Sequence, residues 1–165
     1  KEGRDISASD ADDFIVGFMI MNDFSARVLQ MQEMKLNLGP AKGKDFGSTF
    51  GPWLVTKDDI ETYKQSSSDG DRYDLKMKAS VNGKQISEDI LGNMTWTFAQ
   101  IIERVSYGVN IFPGDIIGSG TCGTGCFLEL NGSKITDNQW LSPGDTVSLE
   151  IEELGTLTNQ IVLSE

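Results

Sequence analysis

The longest apolar run in the chain, Phe14–Met21, ends abruptly in polar residues. Bulky and β-branched residues in an unbroken run are typical of a buried strand. The strong helix formers of Ala26–Met34 predict a short helix, so Asp23 lies where the strand hands over to the helix. Because burying an unpartnered carboxylate is costly, we expect Asp23 to be paired, to cap the helix or to bind a metal. The simplest interpretation is a helix cap with Arg27 as its ion-pair partner.

Apolar and polar residues alternate along Tyr73–Val81, which predicts a half-buried strand. Asn82–Gly83 is a favourable pair for a type I′ turn and predicts a hairpin with a second strand at Lys84–Ser87. Thr97 begins a capping-box pattern, and apolar residues then recur at helical spacing up to Ser106. This pattern predicts a short amphipathic helix.

Turn-forming residues separate the remaining segments. Asn37–Lys44 has the Gly, Pro and Lys content of a loop that is neither helix nor central strand. Turns at Pro113–Asp115 and Pro143–Asp145 each precede an apolar or alternating segment. Further strands are predicted at Trp53–Thr56, Ile116–Ile117, Phe127–Leu130, Thr146–Ile151 and Thr156–Val162, with a helical turn at Lys57–Ile60. The pattern predicts a single β-rich α+β domain over residues 1–165, packed as a mixed roll or sandwich with a few short helices.

The charge balance narrows the classes of partner. A net charge of −11 argues against nucleic acid and against anionic membrane surfaces. An anionic substrate would need a local cation, either a metal or basic side chains such as Arg27 and Lys44. No segment approaches the roughly 20 apolar residues of a membrane span, and no signal peptide is visible.

The two cysteines, Cys122 and Cys126, lie in a Gly-rich loop of a chain that has no histidine. A zinc site is disfavoured because structural zinc sites are built from Cys and His. A disulfide between these cysteines would require an oxidising compartment. We expect two reduced thiols and a cytoplasmic protein.

Four blocks of sequence resemble a known family: M-N-D-F-S-A-R at Met21–Arg27, G-K-D-F-G-S at Gly43–Ser48, P-G-D at Pro113–Asp115 and S-G-T at Ser119–Thr121. In this order and spacing they resemble the fumarylacetoacetate hydrolase family, over nearly all of the chain. The resemblance implies a strand-rich roll particular to that family and a homodimer. It also places Lys1 inside the catalytic domain, so we expect the family's N-terminal part to fall upstream.

The resemblance implies a divalent cation held by carboxylates, one of which is Asp23, with the hydroxyl of Ser48 beside the metal. The other carboxylates would fall before Lys1. Oxygen ligands of this kind suit Mg²⁺, with Mn²⁺ or Ca²⁺ as alternatives, and do not suit zinc. One position departs from the family: Met34 or a neighbour stands where the name-giving enzymes have a substrate-binding tyrosine. This departure weakens the case for fumarylacetoacetate itself as the substrate.

The remaining site residues also follow from the resemblance. Arg27, Gln30 and Lys44 would stabilise the oxyanion that forms when a carbon–carbon bond next to a carbonyl breaks. Gln30 and Thr121 would bind the substrate, and Glu129 would pair with an upstream base that activates water. Ordinary interpretations stay open: Lys44 as a solvated loop lysine, Arg27 as an ion-pair partner, and Glu129 as an outward residue of the apolar strand.

The function that the resemblance implies is metal-dependent cleavage of a carbon–carbon bond in a small 2-oxo or β-dicarbonyl acid, as in the catabolism of aromatic compounds. A metal-bound enolate would be the shared intermediate. Decarboxylation, dehydration and isomerisation proceed through the same enolate and stay open. The alternative from another class is a structural or binding domain that keeps the fold without the site.

Overall fold

The computed structural model describes residues 1–163, which form ten strands, five short α-helices and four 3₁₀ helices. The strands are β1 Gly3–Arg4, β2 Gly17–Asp23, β3 Ser48–Thr56, β4 Lys64–Gln65, β5 Arg72–Tyr73, β6 Lys76–Val81, β7 Lys84–Ile90, β8 Asn110–Ile111, β9 Thr146–Ile151 and β10 Gly155–Gln160. The α-helices are α1 Ala8–Ala11, α2 Arg27–Glu33, α3 Lys42–Asp45, α4 Phe98–Ser106 and α5 Phe127–Gly132. The 3₁₀ helices are Asp12–Phe14, Met34–Leu36, Asp58–Tyr63 and Leu91–Asn93. This composition confirms the β-rich α+β class.

The largest sheet is antiparallel, with strand order β10-β9-β6-β7. Its β6–β7 hairpin is closed by Asn82 and Gly83, whose φ angles are 51° and 77°. Positive φ at both central residues defines the type I′ turn that matches the twist of the strands. The predicted hairpin is therefore confirmed.

The β2–β3 pair packs on this sheet as a second layer. Ile20 of β2 and Val55 of β3 share a buried cluster with Ile151 of β9 and Leu157 of β10. Full burial of such a side chain contributes about 1.5–3 kcal/mol. The packing fixes β2, and it thereby fixes Asp23, which is the last residue of that strand.

The helix predicted at Thr97–Ser106 is confirmed as α4. Thr97 Oγ1 accepts from the backbone N–H of Gln100 at 3.2 Å, and Gln100 Oε1 accepts from that of Thr97 at 3.0 Å. This is the predicted capping box. The helix buries Ala99 and Ile102 against Ala11 of α1. In residues 1–163, no helix has the length and apolar content to cross a membrane.

Two strand predictions were wrong: the first strand begins later than predicted, and the segment Ile116–Ile117 forms no strand. Ile15 donates its backbone N–H to the carbonyl of Asp12 at 3.3 Å, which ends a 3₁₀ helix, so the predicted Phe14–Met21 strand begins only at Gly17. Ile116–Ile117 is not part of a strand, and Ile117 packs on the cluster around α1 and α4.

The segment Phe127–Leu130 is helix α5, not a strand. The carbonyl of Cys126 accepts from the N–H groups of Glu129 and Leu130, which closes a helical turn. Phe127 and Leu130 are buried, whereas Leu128 and Glu129 are exposed. Their spacing of three follows the helical period and not the strand period of two. The single-domain assignment of residues 1–165 stays a prediction.

Candidate functional site

The end of β2 lies beside the start of β3. Asp23 and Ser48 are partners in the antiparallel register. Residues directly opposite each other in such a pair project from the same face of the sheet. The carboxylate and the hydroxyl that the family resemblance assigns to a metal are therefore neighbours, and Ser48 is exposed.

Lys44 forms an ion pair with Asp23, and both side chains are only about one-third exposed or less, at 26% and 30%. The ammonium also donates to Ser25 Oγ at 2.8 Å. Lys44 is thus held in place and is not a solvated loop lysine. The predicted Asn37–Lys44 loop ends in α3, which begins at Lys42 and carries this side chain.

The helix-cap interpretation of Asp23 was wrong. Residue Ala26 is the N-cap of α2, and no side-chain oxygen caps the helix there. The ion-pair partner of Asp23 is Lys44. Arg27 instead donates through Nη1 to Gln30 Oε1 at 2.8 Å, one turn further along α2.

Helix α2 and α3 are in direct contact. The carbonyl of Gly43 accepts from the N–H of Ala26 at 2.8 Å. A Cβ on the buried Gly43 would lie 2.8 Å from the backbone nitrogen of Gln30, so only glycine fits this approach. The contact places the segment that carries Lys44 against Gln30, while the convergence of Arg27, Gln30 and Lys44 on one site stays a prediction.

The loop that contains Thr121 begins on the same face. A Cβ on Gly118 would lie 3.3 Å from Met21 Sδ. Met21 and Asp23 are two residues apart on β2 and therefore share a face. An extended chain from Gly118 reaches Thr121 within about 11 Å. Thr121 is exposed, and no contact joins its side chain to the Asp23–Lys44 pair in the part of the chain described, so its place in the site stays a prediction.

The place of Glu129 relative to this cluster stays a prediction. It lies exposed on α5, whose Leu130 packs against Val81 and Val147 near the β6–β7 turn. Burial above all, with added negative charge from Asp89 and Glu129, raises the pKa of the Cys122 thiol. Both cysteines are free thiols, as predicted. The structure thus places Glu129 near Cys122, and no described contact links it to Lys44.

Sequence reasoning missed Glu33. Its carboxylate accepts from the backbone N–H groups of Ala41, Lys42 and Gly43 at 2.9, 2.9 and 3.1 Å. These hydrogen bonds lower the pKa of Glu33 below its usual range. An acid in the last turn of a helix opposes the helix dipole. This unfavourable position of Glu33 is the sequence signal that its carboxylate has a favourable partner elsewhere.

The metal-ligating atoms of the site are of the type that a hard cation prefers, but they are too few to complete its coordination. Asp23 and Ser48 offer oxygens, which Mg²⁺ and Ca²⁺ prefer. Residues 1–163 contain no group of three or more Cys, Asp or Glu side chains placed to hold a metal ion. Because such cations take about six or more oxygens, the described residues do not complete a metal site by themselves.

Comparison with known proteins shows which family the sequence matches. Residues 1–162 match the family model described as fumarylacetoacetate (FAA) hydrolase C-terminal. The mitochondrial oxaloacetate tautomerase Fahd2a of Rattus norvegicus is 35% identical, over 98% of this chain and 47% of its own length. The fumarylacetoacetase of Arabidopsis thaliana is 33% identical, over 88% of this chain and 42% of its own. The chain spans about half the length of the curated relatives it matches.

The fold recurs in solved structures. The fumarylpyruvate hydrolase of Pseudomonas aeruginosa, crystallised with Mn²⁺ and pyruvate, superposes with a TM-score of 0.75. It is 22% identical, and the match covers 99% of this chain and 61% of that one. At this identity the likeness shows the shared fold. With the family model matched from end to end of β1–β10, the chain belongs to the fumarylacetoacetate hydrolase family.

Proposed function

We propose that this chain forms the catalytic portion of an enzyme that acts on a small 2-oxo or β-dicarbonyl acid. The observation that carries the proposal is the ammonium of Lys44, held by Asp23 and Ser25 on a segment that packs against Gln30, the acceptor of the Arg27 guanidinium. Preorganised donors placed where negative charge develops lower a barrier by about 3 kcal/mol each. An enolate oxygen and a substrate carboxylate are the groups that such donors stabilise.

The reaction that we propose first is hydrolysis of a carbon–carbon bond next to a carbonyl. Relatives named fumarylacetoacetase and fumarylpyruvate hydrolase support a hydrolase, and the carbon–carbon bond as its target rests on the family resemblance. In this chain Lys44 would face the developing oxyanion, while Arg27 and Gln30 would bind and orient the substrate. Thr121 would add a hydroxyl from its loop. Glu129 would support a water-activating base, a role that rests on the family resemblance alone.

Tautomerisation is the second candidate reaction. The relative that matches at 35% identity over 98% of this chain is named as an oxaloacetate tautomerase. Moving a proton between carbon and oxygen needs the same enolate stabilisation but no attacking water. It would therefore use Lys44 and Arg27 without Glu129. The activity of a Glu129→Gln variant separates the two reactions, because only hydrolysis would fall.

A divalent cation is part of the proposal, with Mg²⁺ first and Mn²⁺ or Ca²⁺ as alternatives. Asp23 and Ser48 would hold it from one face of the β2–β3 pair. The Mn²⁺ in the P. aeruginosa hydrolase supports the class of ion. When bound, the cation would act as a Lewis acid on a substrate oxygen. Its remaining ligands would come from water or from residues beyond those described.

We propose a small carboxylate as the ligand, a homodimer as the assembly and the cytoplasm as the location. The net charge of −11 disfavours nucleic acid and anionic membranes. Apolar side chains on and after α2, among them Val28, Met31, Leu36 and Leu38, are exposed and would be covered by a second copy. Free Cys122 and Cys126 suit a reducing compartment.

A substrate panel tests the proposed function. The longest form of the protein that its gene encodes is incubated with oxaloacetate, fumarylpyruvate and fumarylacetoacetate, and ultraviolet absorbance follows the loss of each enol. Each reaction is run with Mg²⁺ or Mn²⁺ and again after chelation. We expect turnover of at least one acid and its loss on chelation. A folded protein that turns over none of them would instead support the non-catalytic alternative.

A further inference from the structure

Glu33, at the end of α2, binds the start of α3 through the backbone N–H groups of that helix. Its Oε2 accepts from Ala41 at 2.9 Å and from Gly43 at 3.1 Å, and its Oε1 accepts from Lys42 at 2.9 Å. A charged acceptor makes each of these hydrogen bonds stronger than a neutral one. One carboxylate therefore satisfies the N–H groups that begin α3.

Helix α3 has little stability of its own. It is only four residues long, and an isolated helix of that length does not persist in water. Its internal bonds run from the N–H groups of Lys44 and Asp45 to the carbonyl of Ala41, at 2.9 and 2.8 Å. The conformation of the segment thus depends on what holds Ala41 and its neighbours.

The Glu33 contact continues into the candidate site. Gly43, the last of the three donors, is pressed against Gln30 and accepts from Ala26. Lys44 comes next in sequence and extends its ammonium to Asp23 and Ser25. The Glu33 carboxylate, at the end of α2, thereby fixes the position of the Lys44 backbone.

We propose that Glu33 is a positioning residue that fixes α3 on α2 and so aims the Lys44 ammonium at the Asp23 site. The effect of Glu33 on turnover rests on the proposed function. The stabilisation of residues 41–43 by its hydrogen bonds is independent of that function. Glu33 touches neither the substrate position nor Asp23, and it acts through the backbone of the Lys44 segment.

The test compares Glu33→Gln with Glu103→Gln. Glu103 is a matched control, because its Oε1 accepts from the N–H of Ala8 at 3.0 Å at the start of another short helix, α1. Amide hydrogen exchange is measured for residues 41–43, and kcat and KM are measured on whichever acid the protein turns over. Glu33→Asp keeps the charge with a shorter reach and serves as a second variant.

In Glu33→Gln we expect exchange of the amides of residues 41–43 to quicken roughly tenfold, as the loss of charge-assisted hydrogen bonds implies. We expect kcat to fall about tenfold with KM within about twofold, since Lys44 acts on the transition state. Glu33→Asp should fall between wild type and Glu33→Gln, and Glu103→Gln should change neither readout.

Unchanged exchange at residues 41–43 in Glu33→Gln would overturn the proposal, and so would faster exchange with an unchanged kcat. If the wild-type protein turns over no acid, the proposed function fails instead. The exchange measurement then still decides whether Glu33 holds the Lys44 segment.

Discussion

Asp23 and Lys44 form an ion pair that joins the end of β2 to α3. The family resemblance assigns the same Asp23 carboxylate to a divalent cation. The ammonium of Lys44 offsets the negative charge of Asp23 and also donates to Ser25 Oγ. A cation entering the site would compete with Lys44 for the oxygens of Asp23.

Asp23→Asn should weaken divalent cation binding and lower activity in the longest form of the protein. The amide keeps the volume of the carboxylate but loses its charge, so the metal loses a ligand while the packing is retained. The ion pair is partly exposed, so the free energy of unfolding should change by no more than about 1 kcal/mol. Calorimetric titration and thermal denaturation measure the two effects, with the exposed Asp13→Asn as control. Equal metal affinity in Asp23→Asn and wild type would remove Asp23 from the metal site.

The 165-residue chain taken alone should bind Mg²⁺ or Mn²⁺ weakly. Asp23 supplies one carboxylate, already paired with Lys44, whereas these ions take about six oxygens. Isothermal titration should show no saturation in the micromolar range. Micromolar binding at one site per chain, abolished by Asp23→Ala, would show that the described residues hold the ion by themselves.

Tyr73 should make stability fall at high pH. Burial, with added negative charge from Asp71, Asp12 and Glu61, raises its pKa from 10.0 to about 12. Because the folded-state pKa is the higher one, the stabilising contribution is complete below pH 10 and is lost as the pH rises to 12. The loss amounts to about 3 kcal/mol at most.

Tyr73→Phe keeps the ring in the core and should remove that part of the decline. Urea unfolding at several pH values between neutral and alkaline measures it, with Tyr107→Phe as the control at an exposed ring. The same steep decline in Tyr73→Phe as in wild type would show that another group is responsible.

Local chemistry made several elements predictable from sequence. Asn82–Gly83 favours positive φ, and the Thr97–Gln100 pair satisfies helix N–H groups, so each element is specified by neighbouring residues. The matched sequence blocks place Asp23 and Lys44 together, and the structure joins them in an ion pair. The convergence of Arg27 and Gln30 on the same site stays a prediction.

The wrongly predicted segments owe their conformation to contacts with residues outside the segments themselves. Helix α3 depends on Glu33, a residue outside the segment at the end of α2, which accepts from its first N–H groups. The segment Phe127–Leu130 suits a strand by composition, and its helical state depends on burying two residues at a spacing of three against Val81 and Val147. A period of two or three cannot be distinguished over so few residues.

The most direct test of the central claim is the turnover of the best substrate by Lys44→Met. The substitution removes the ammonium and keeps an unbranched side chain of similar length, and Lys84→Met on exposed β7 is the control. We predict that kcat falls about 100-fold in Lys44→Met, as expected for the loss of an oxyanion-stabilising donor. Lys84→Met should match wild type. Wild-type kcat in a folded Lys44→Met would contradict the assignment of this site as the active site.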